Sequence, residues 1–323
     1  MSTPPVIAAV DGSDGSLRAL DWALDAARRR RAPLRAVHVR QYAAWAQPDL
    51  LLTGPPEADA DPVLDTARAH LEKQGDLPPV EYTGLEGAPG VLLPELGAAA
   101  QLLVLGSRGR GGFAGLLLGS NGMTCARDAE CPVVVVPPPG RETPGGETPD
   151  GETPDGETPD GETPDGAPDG PGPRIVLGLH ADSPDEAALA FAFAEAAARG
   201  ARLHVVAAYP WPALPWLAPT EPAPPVIDQD AVENETRTLA EGFLAPHRKR
   251  QPEVPVDLAV LPGDAAGHLV AASRGAGLVV VGRHRRRLLA PARMMGSVTH
   301  AVLLHAASPV AVVPPLAPAP AEE

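Results

Sequence analysis

A chain that repeats itself can fold only into what half of it can fold into, and this chain repeats. The segment VIAAVDGSDGSLRALDWA from Val6 aligns without a gap to IVLGLHADSPDEAALAFA from Ile175, an offset of 169 residues. LVLGSRGRGG around Gly106 matches VVVGRHRRRL around Gly282 at an offset of 176, and CPVVVVPP from Cys131 matches SPVAVVPP from Ser308 at 177. Three landmarks in one order, with offsets drifting by so little, mark a duplicated domain. A length of 323 residues suits two such domains.

Within each copy, short apolar runs alternate with amphipathic stretches. In the first, the pattern predicts strands near 6–11, 34–40, 78–84, 101–106 and 131–136, and helices near 14–31, 60–75, 88–99 and 119–129. The runs LLVLG and VVVV are unbroken rather than alternating, as in parallel strands covered on both faces. Aromatic residues make up only 3% of the chain, so the core must be built from Ala, Val and Leu. The alternation implies an α/β fold: two copies of an open, doubly wound five-stranded parallel sheet of Rossmann-like type. Such sheets bind ligands beyond the carboxyl ends of their strands, near the point where strand order reverses.

Between the copies, GETPD runs four times from Gly146 to Asp165, preceded by RETPG. Regular proline blocks helix and sheet, glycine loosens the backbone, and like charges repel. Residues 138–173 are therefore expected to form a disordered acidic linker, spanning at most ~120 Å when stretched. Its Thr-Pro pairs are candidate phosphorylation sites, although repeat expansion explains them equally well. The first domain is then 1–137, the second 174–315, and 316–323 a tail. From Pro137 to Pro173 the charge is -9 of the total -15. The folded parts are only mildly acidic, which disfavours nucleic acid as a partner. No apolar run approaches membrane-spanning length and no leader is read at the start, so the expected location is cytoplasmic. Cys125 and Cys131 alone make neither a disulfide framework nor a four-ligand metal site; they read as small buried hydrophobes, with redox sensing as the alternative.

The segment after the fourth strand carries the candidate chemistry. Gly106 is followed after two residues by Gly109, and after nine more by Gly119-Ser120. Glycines let backbone N–H groups turn toward an anion. Gly119-Ser120 would open a helix whose N-terminal N–H groups attract phosphate, with the Ser120 hydroxyl either capping the helix or donating to the phosphate. Arg108 and Arg110 are placed to neutralise a polyphosphate. The bland alternative is a glycine-rich surface loop. The spacing is not that of a Walker loop, and no GxGxxG follows the first strand.

This Gly106-x2-Gly109-x9-Gly119-Ser120 spacing resembles the ATP-binding signature of the universal stress protein family. VDGS from Val10 to Ser13 and the closing CPVVVV are also similar to that family. The resemblance implies ATP, with magnesium as a companion, held by the first domain. Asp11 would lie near ribose and phosphates, Val39 would offer backbone groups to adenine, and Gly106, Gly109, Gly119, Ser120 and the Asn121 N–H would hold ribose and phosphates. Asp11 is otherwise a turn residue; with Asp14 it is a candidate to assist the metal. Gly122, where such proteins often carry a small apolar residue, predicts a looser helix start.

The second copy departs from the pattern. His180 replaces Asp11, Ala208 replaces Val39, and Arg285 takes the place of Gly109, while Gly282, Gly296 and Ser297 survive. Weak or no nucleotide binding is expected there. Its arginine-rich loop 283–293 is either an anion site or a solvated loop balancing the acidic linker.

No GxSxG, HExxH, CxxC or SGGxDS set is present, and His38, His204 and His300 read as scattered surface histidines. The chain is expected not to be an enzyme; slow ATP hydrolysis lacks an evident base. Two functional classes follow. One is an ATP-binding stress-response regulator with an unknown protein partner, and the other is an assembly module that binds no nucleotide. Family members pair through their last strands, so 131–136 and 308–313 are expected to meet in an intrachain pseudo-dimer or a homodimer.

Overall fold

The computed structural model describes residues 3–41, 61–109, 118–140, 173–210, 228–283 and 295–316. The first half runs β1 (Val6–Ala9), α1 (Asp14–Arg30), β2 (Leu34–Arg40), α2 (Pro62–Glu72), β3 (Val80–Glu86), α3 (Pro89–Leu96), β4 (Leu102–Gly106), α4 (Ser120–Asp128) and β5 (Val133–Val136). The second runs β6 (Arg174–Leu179), α5 (Glu186–Arg199), β7 (Arg202–Tyr209), α6 (Gln229–Arg250), β8 (Val256–Pro262), α7 (Ala265–Ala272), β9 (Leu278–Gly282), α8 (Ser297–His305) and β10 (Val310–Val313). These elements follow the predicted order, with ends shifted by a few residues. Most of the linker and tail, together with Arg110 and loop positions 284–293, lies outside the described residues.

Local chemistry explains the helix ends. Ser13 caps α1 by accepting from the Ser16 N–H, and Arg28, Arg29 and Arg30 occupy its last turn, where the helix dipole favours cations. Asp61, Asp185, Asp228 and Asp264 cap α2, α5, α6 and α7 in the same way. The corresponding helices α4 and α8 instead start at glycines, Gly119 and Gly296, with no side-chain cap.

Each half is a five-stranded parallel sheet, as expected, but the halves do not stay separate. They merge into one ten-stranded sheet, β3-β2-β1-β4-β5-β10-β9-β6-β7-β8. The join is antiparallel, with Val310 opposite Val135 and Val312 opposite Val133. Strand residues alternate between two apolar layers. Val6, Ala8, Val134 and Val136 face the side covered by α1 and α5; Ile7, Val133 and Val135 face the other. That double burial is why the strand sequences read as unbroken apolar runs.

A second tie joins the halves through α1 and α5. Arg30 lies over the Phe191 ring at 5.7 Å, and Arg199 over Trp22 at 5.3 Å. The 169-residue offset relates Arg30 to Arg199 and Trp22 to Phe191, so the contact is exchanged reciprocally. Glu195, only 2% exposed, pairs with both arginines; its counterpart is Ala26. Burial lowers the Arg199 pKa to about 10 and also lowers that of Arg30.

Candidate functional site

Strand order reverses between β1 and β4, and a cleft of about 460 Å³ opens there at the carboxyl ends of the strands. Asp11, Val39, Gly106, Arg108, Gly109, Gly119, Ser120 and Asn121 all line it. The residues singled out along more than a hundred positions of sequence are thus brought to one place. Asp14 is not among them: it stands one residue past the α1 cap, exposed on the first helical turn. Of the two carboxylates that are candidates to assist a magnesium ion, Asp11 lines the cleft and Asp14 does not. Among the described residues no group of three or more His, Cys, Asp or Glu is arranged to hold a metal ion.

Asp11 serves both readings made of it. Its Oδ1 accepts from the Ser13 N–H at 3.0 Å and the Ser13 hydroxyl at 2.6 Å, which closes the turn into α1. Its Oδ2 faces Gly109 so closely that a Cβ at that position would lie 2.5 Å from it. Any other residue at 109 must displace the carboxylate. Gly106 is constrained differently: a Cβ there would sit 2.8 Å from the Gly15 carbonyl oxygen, in the first turn of α1. Its glycine is a packing requirement.

The floor of the cleft is the start of α4. Gly119 is the cap residue and its N–H donates to the Ser107 carbonyl at 2.7 Å. Ser120 is the first helical residue, and its hydroxyl does not cap the helix. The first N–H groups of a helix have no partner within it, so these are the donors an anion would find. Gly122, where a looser helix start is expected, is buried, and a Cβ there would meet Leu118 Cδ1 at 2.8 Å. Its missing side chain makes room for Leu118.

One member of the cleft is not the scattered surface histidine that the sequence suggests. His38 lines it beside Val39, and its Nδ1 lies 2.9 and 2.8 Å from the two carboxylate oxygens of Asp61. Asp61 is 23 residues away in sequence, and only the strand and helix ends bring the two together. Burial pushes the Asp61 carboxyl up, but the His38 hydrogen bond and the Leu64 and Val63 N–H groups outweigh it and hold the pKa below the ordinary value. His204 pairs instead with Asp257 across β7 and β8, and His300 is exposed. Both cysteines are buried, and burial pushes each thiol up to about 12, which suppresses the reactive thiolate.

The second copy has a cleft of about 350 Å³ at the matching place, lined by His180, Ser183, Asp185, Ala208, Gly282, Arg283 and Thr299 among others. Here α5 begins at Glu186, three residues later than the alignment with α1 predicts, because Pro184 stands in place of Gly15 and Asp185 becomes the cap. The Asp185 side chain lies over Gly282, where a Cβ would meet its Oδ2 at 2.7 Å. A carboxylate thus occupies the space above the retained glycine. Arg283, the first residue of the arginine-rich loop, reaches into the other half, donating to the Ala129 carbonyl at the end of α4 at 2.6 Å.

Comparison with known proteins adds to this geometry. The model of the universal stress protein family matches residues 3–137 and 173–314. The universal stress protein Rv2005c of Mycobacterium tuberculosis is 31% identical over 314 residues, 95% of this chain and 96% of the relative. Rv2623, of the same species and also a universal stress protein, is 36% identical over 136 residues, 41% of this chain and 44% of its own. In fold, the chain resembles a universal stress protein from Archaeoglobus fulgidus (TM-score 0.58, 15% identity, covering 96% of this chain and 98% of that one). It also resembles the functionally unknown PA1789 of Pseudomonas aeruginosa (TM-score 0.60, 16% identity, covering 97% and 92%).

Proposed function

The chain belongs to the universal stress protein family, and from that premise we propose that its first domain binds ATP and uses occupancy of the site to regulate a protein partner during stress. The observation that carries this reading is the fit of Gly109 against the Asp11 carboxylate above an uncapped helix start. A glycine is needed there to keep Asp11 in place, and the free N–H groups below suit a phosphate. Among the described residues that line the cleft only Asp11 is a carboxylate, so a magnesium ion would arrive with the phosphates and keep most of its water ligands.

The proposal is of a binding protein working in the cytoplasm rather than a hydrolase. Among the described residues the His38–Asp61 pair most resembles a histidine general base with its orienting carboxylate. It sits on β2, two strands from β4 and its phosphate loop, or ~10 Å at ordinary strand spacing. That is beyond reach of a water attacking a terminal phosphate. Described helices include none long and apolar enough to cross a membrane. Mass spectrometry of ligand released from gently purified protein, followed by calorimetry with ATP and magnesium, tests the reading. Absence of both a co-purified nucleotide and an ATP binding heat would leave the assembly module as the better account.

A further inference from the structure

His38 lines the cleft and has one ring nitrogen, Nδ1, held by Asp61. Asp61 Oδ1 accepts from the Val63 and Leu64 N–H groups, each at 3.1 Å, and so caps α2. The residue is 9% exposed, and its carboxylate is fixed by the helix it caps. An ionised carboxylate can only accept, so the imidazole nitrogen facing it, Nδ1, must carry the ring proton. In the neutral ring Nε2 then holds a lone pair. No partner for Nε2 is found among the described residues, and His38 lines the cleft. The second copy has Ala207 at the aligned position and cannot make this arrangement.

Strand order places this acceptor along the cleft. With β2 separated from β4 by β1, His38 lies away from the phosphate loop and toward the end left for the nucleoside. Resting on the reading of this cleft as a nucleotide site, we infer that His38 is a specificity-determining residue whose Nε2 accepts a hydrogen bond from a donor on the nucleoside. Two groups there have that chemistry, the exocyclic amine of the base and the hydroxyls of the ribose. Asp61 is the positioning residue: it selects the tautomer.

Asp61→Asn separates this role from a structural one. The asparagine carbonyl oxygen can keep the α2 cap, since Asn caps as well as Asp. Its amide NH2, in place of the oxygen 2.8 Å from Nδ1, sets a donor against that nitrogen and favours the tautomer with the ring proton on Nε2, which turns the acceptor into a donor. Affinities of the full chain are measured by calorimetry at pH 8 for ATP, ITP and 2′,3′-dideoxy-ATP. The wild type, Asp61→Asn and His38→Phe are compared, with helix content checked by circular dichroism.

The expected result is a loss of about tenfold for ATP in both variants, the scale of one hydrogen bond. That loss is absent for the one analogue lacking the contacted donor: ITP if the donor is the amine, the dideoxy nucleotide if it is a ribose hydroxyl. Equal losses for all three ligands, or no loss for any, overturn the inference and leave His38 as a strut for α2. A wild-type chain that binds none of the three overturns the nucleotide reading itself, a result distinct from either.

Discussion

The two copies kept some glycines and lost others, and the pattern of loss separates packing from ligand chemistry. Gly106 and Gly282 persist in both, and in both a Cβ would strike the start of the first helix of that half. Among the described residues a Cβ at Gly109 would meet Asp11 alone. In the second copy both partners of that contact have changed, to Arg285 and His180. A glycine demanded by the fold survives duplication; one demanded by a site is lost together with the residue it served. Asp185 shows the same divergence from the other side, filling the second cleft with a carboxylate where the first has helix backbone.

The largest effect is expected where the copies differ in the tie that joins them. Glu195→Ala gives the second copy the first copy's Ala26 and leaves Arg30 and Arg199 buried without their acid. Chemical denaturation should show a loss of about 3–5 kcal/mol, the usual cost of orphaning a buried ion pair. Gly109→Arg, which copies the second domain into the first, should weaken ATP by about 100-fold or more, equivalent to about 2.7 kcal/mol by calorimetry. Unchanged affinity would sink the assignment of the loop.

Gly106→Ala and Gly282→Ala should both destabilise, by about 1–3 kcal/mol as overpacking does. The first should cost more, because all its close neighbours are α1 backbone, whereas at the second the nearest atom, Asp185 Oδ2, can turn aside and only the Asp185 Cβ, at 2.9 Å, cannot. Equal costs would mean that the two packings are the same despite the late start of α5. The smallest effect is a null one. His180→Asp with Arg285→Gly should not create an ATP site in the second half, since Pro184 and Asp185 still reshape it; binding heat from that half would show the comparison too strict.

Much of this was legible because it depends on local spacing. The glycine and serine positions identified the cleft, and the repeated landmarks identified the halves. The apolar segments at 131–136 and 308–313 mark the strands that join, though not that the join makes a single sheet. What was not legible depends on contacts distant in sequence. His38 finds Asp61 only because β2 and α2 end at the same corner. Gly122 was read as a weak point from helix propensity, whereas the Leu118 side chain fills the space it leaves. Asp14 was one residue too late, as the helical turn that begins there carries it away from the cleft. A gapless alignment also hid the delayed start of α5, which Pro184 imposes.

The antiparallel join has a further consequence for the segment connecting the halves. Because β6 runs opposite to β5, the carboxyl end of one and the amino end of the other lie at the same edge of the sheet, with β10 and β9 between them. Three strand spacings, ~15 Å, separate the two points, so a tether of a few residues beyond its turns would bridge them. The GETPD array exceeds that need several-fold. Its length is therefore not set by folding, and repeats can be gained or lost without strain on either domain: deleting three of the four should leave the melting temperature unchanged.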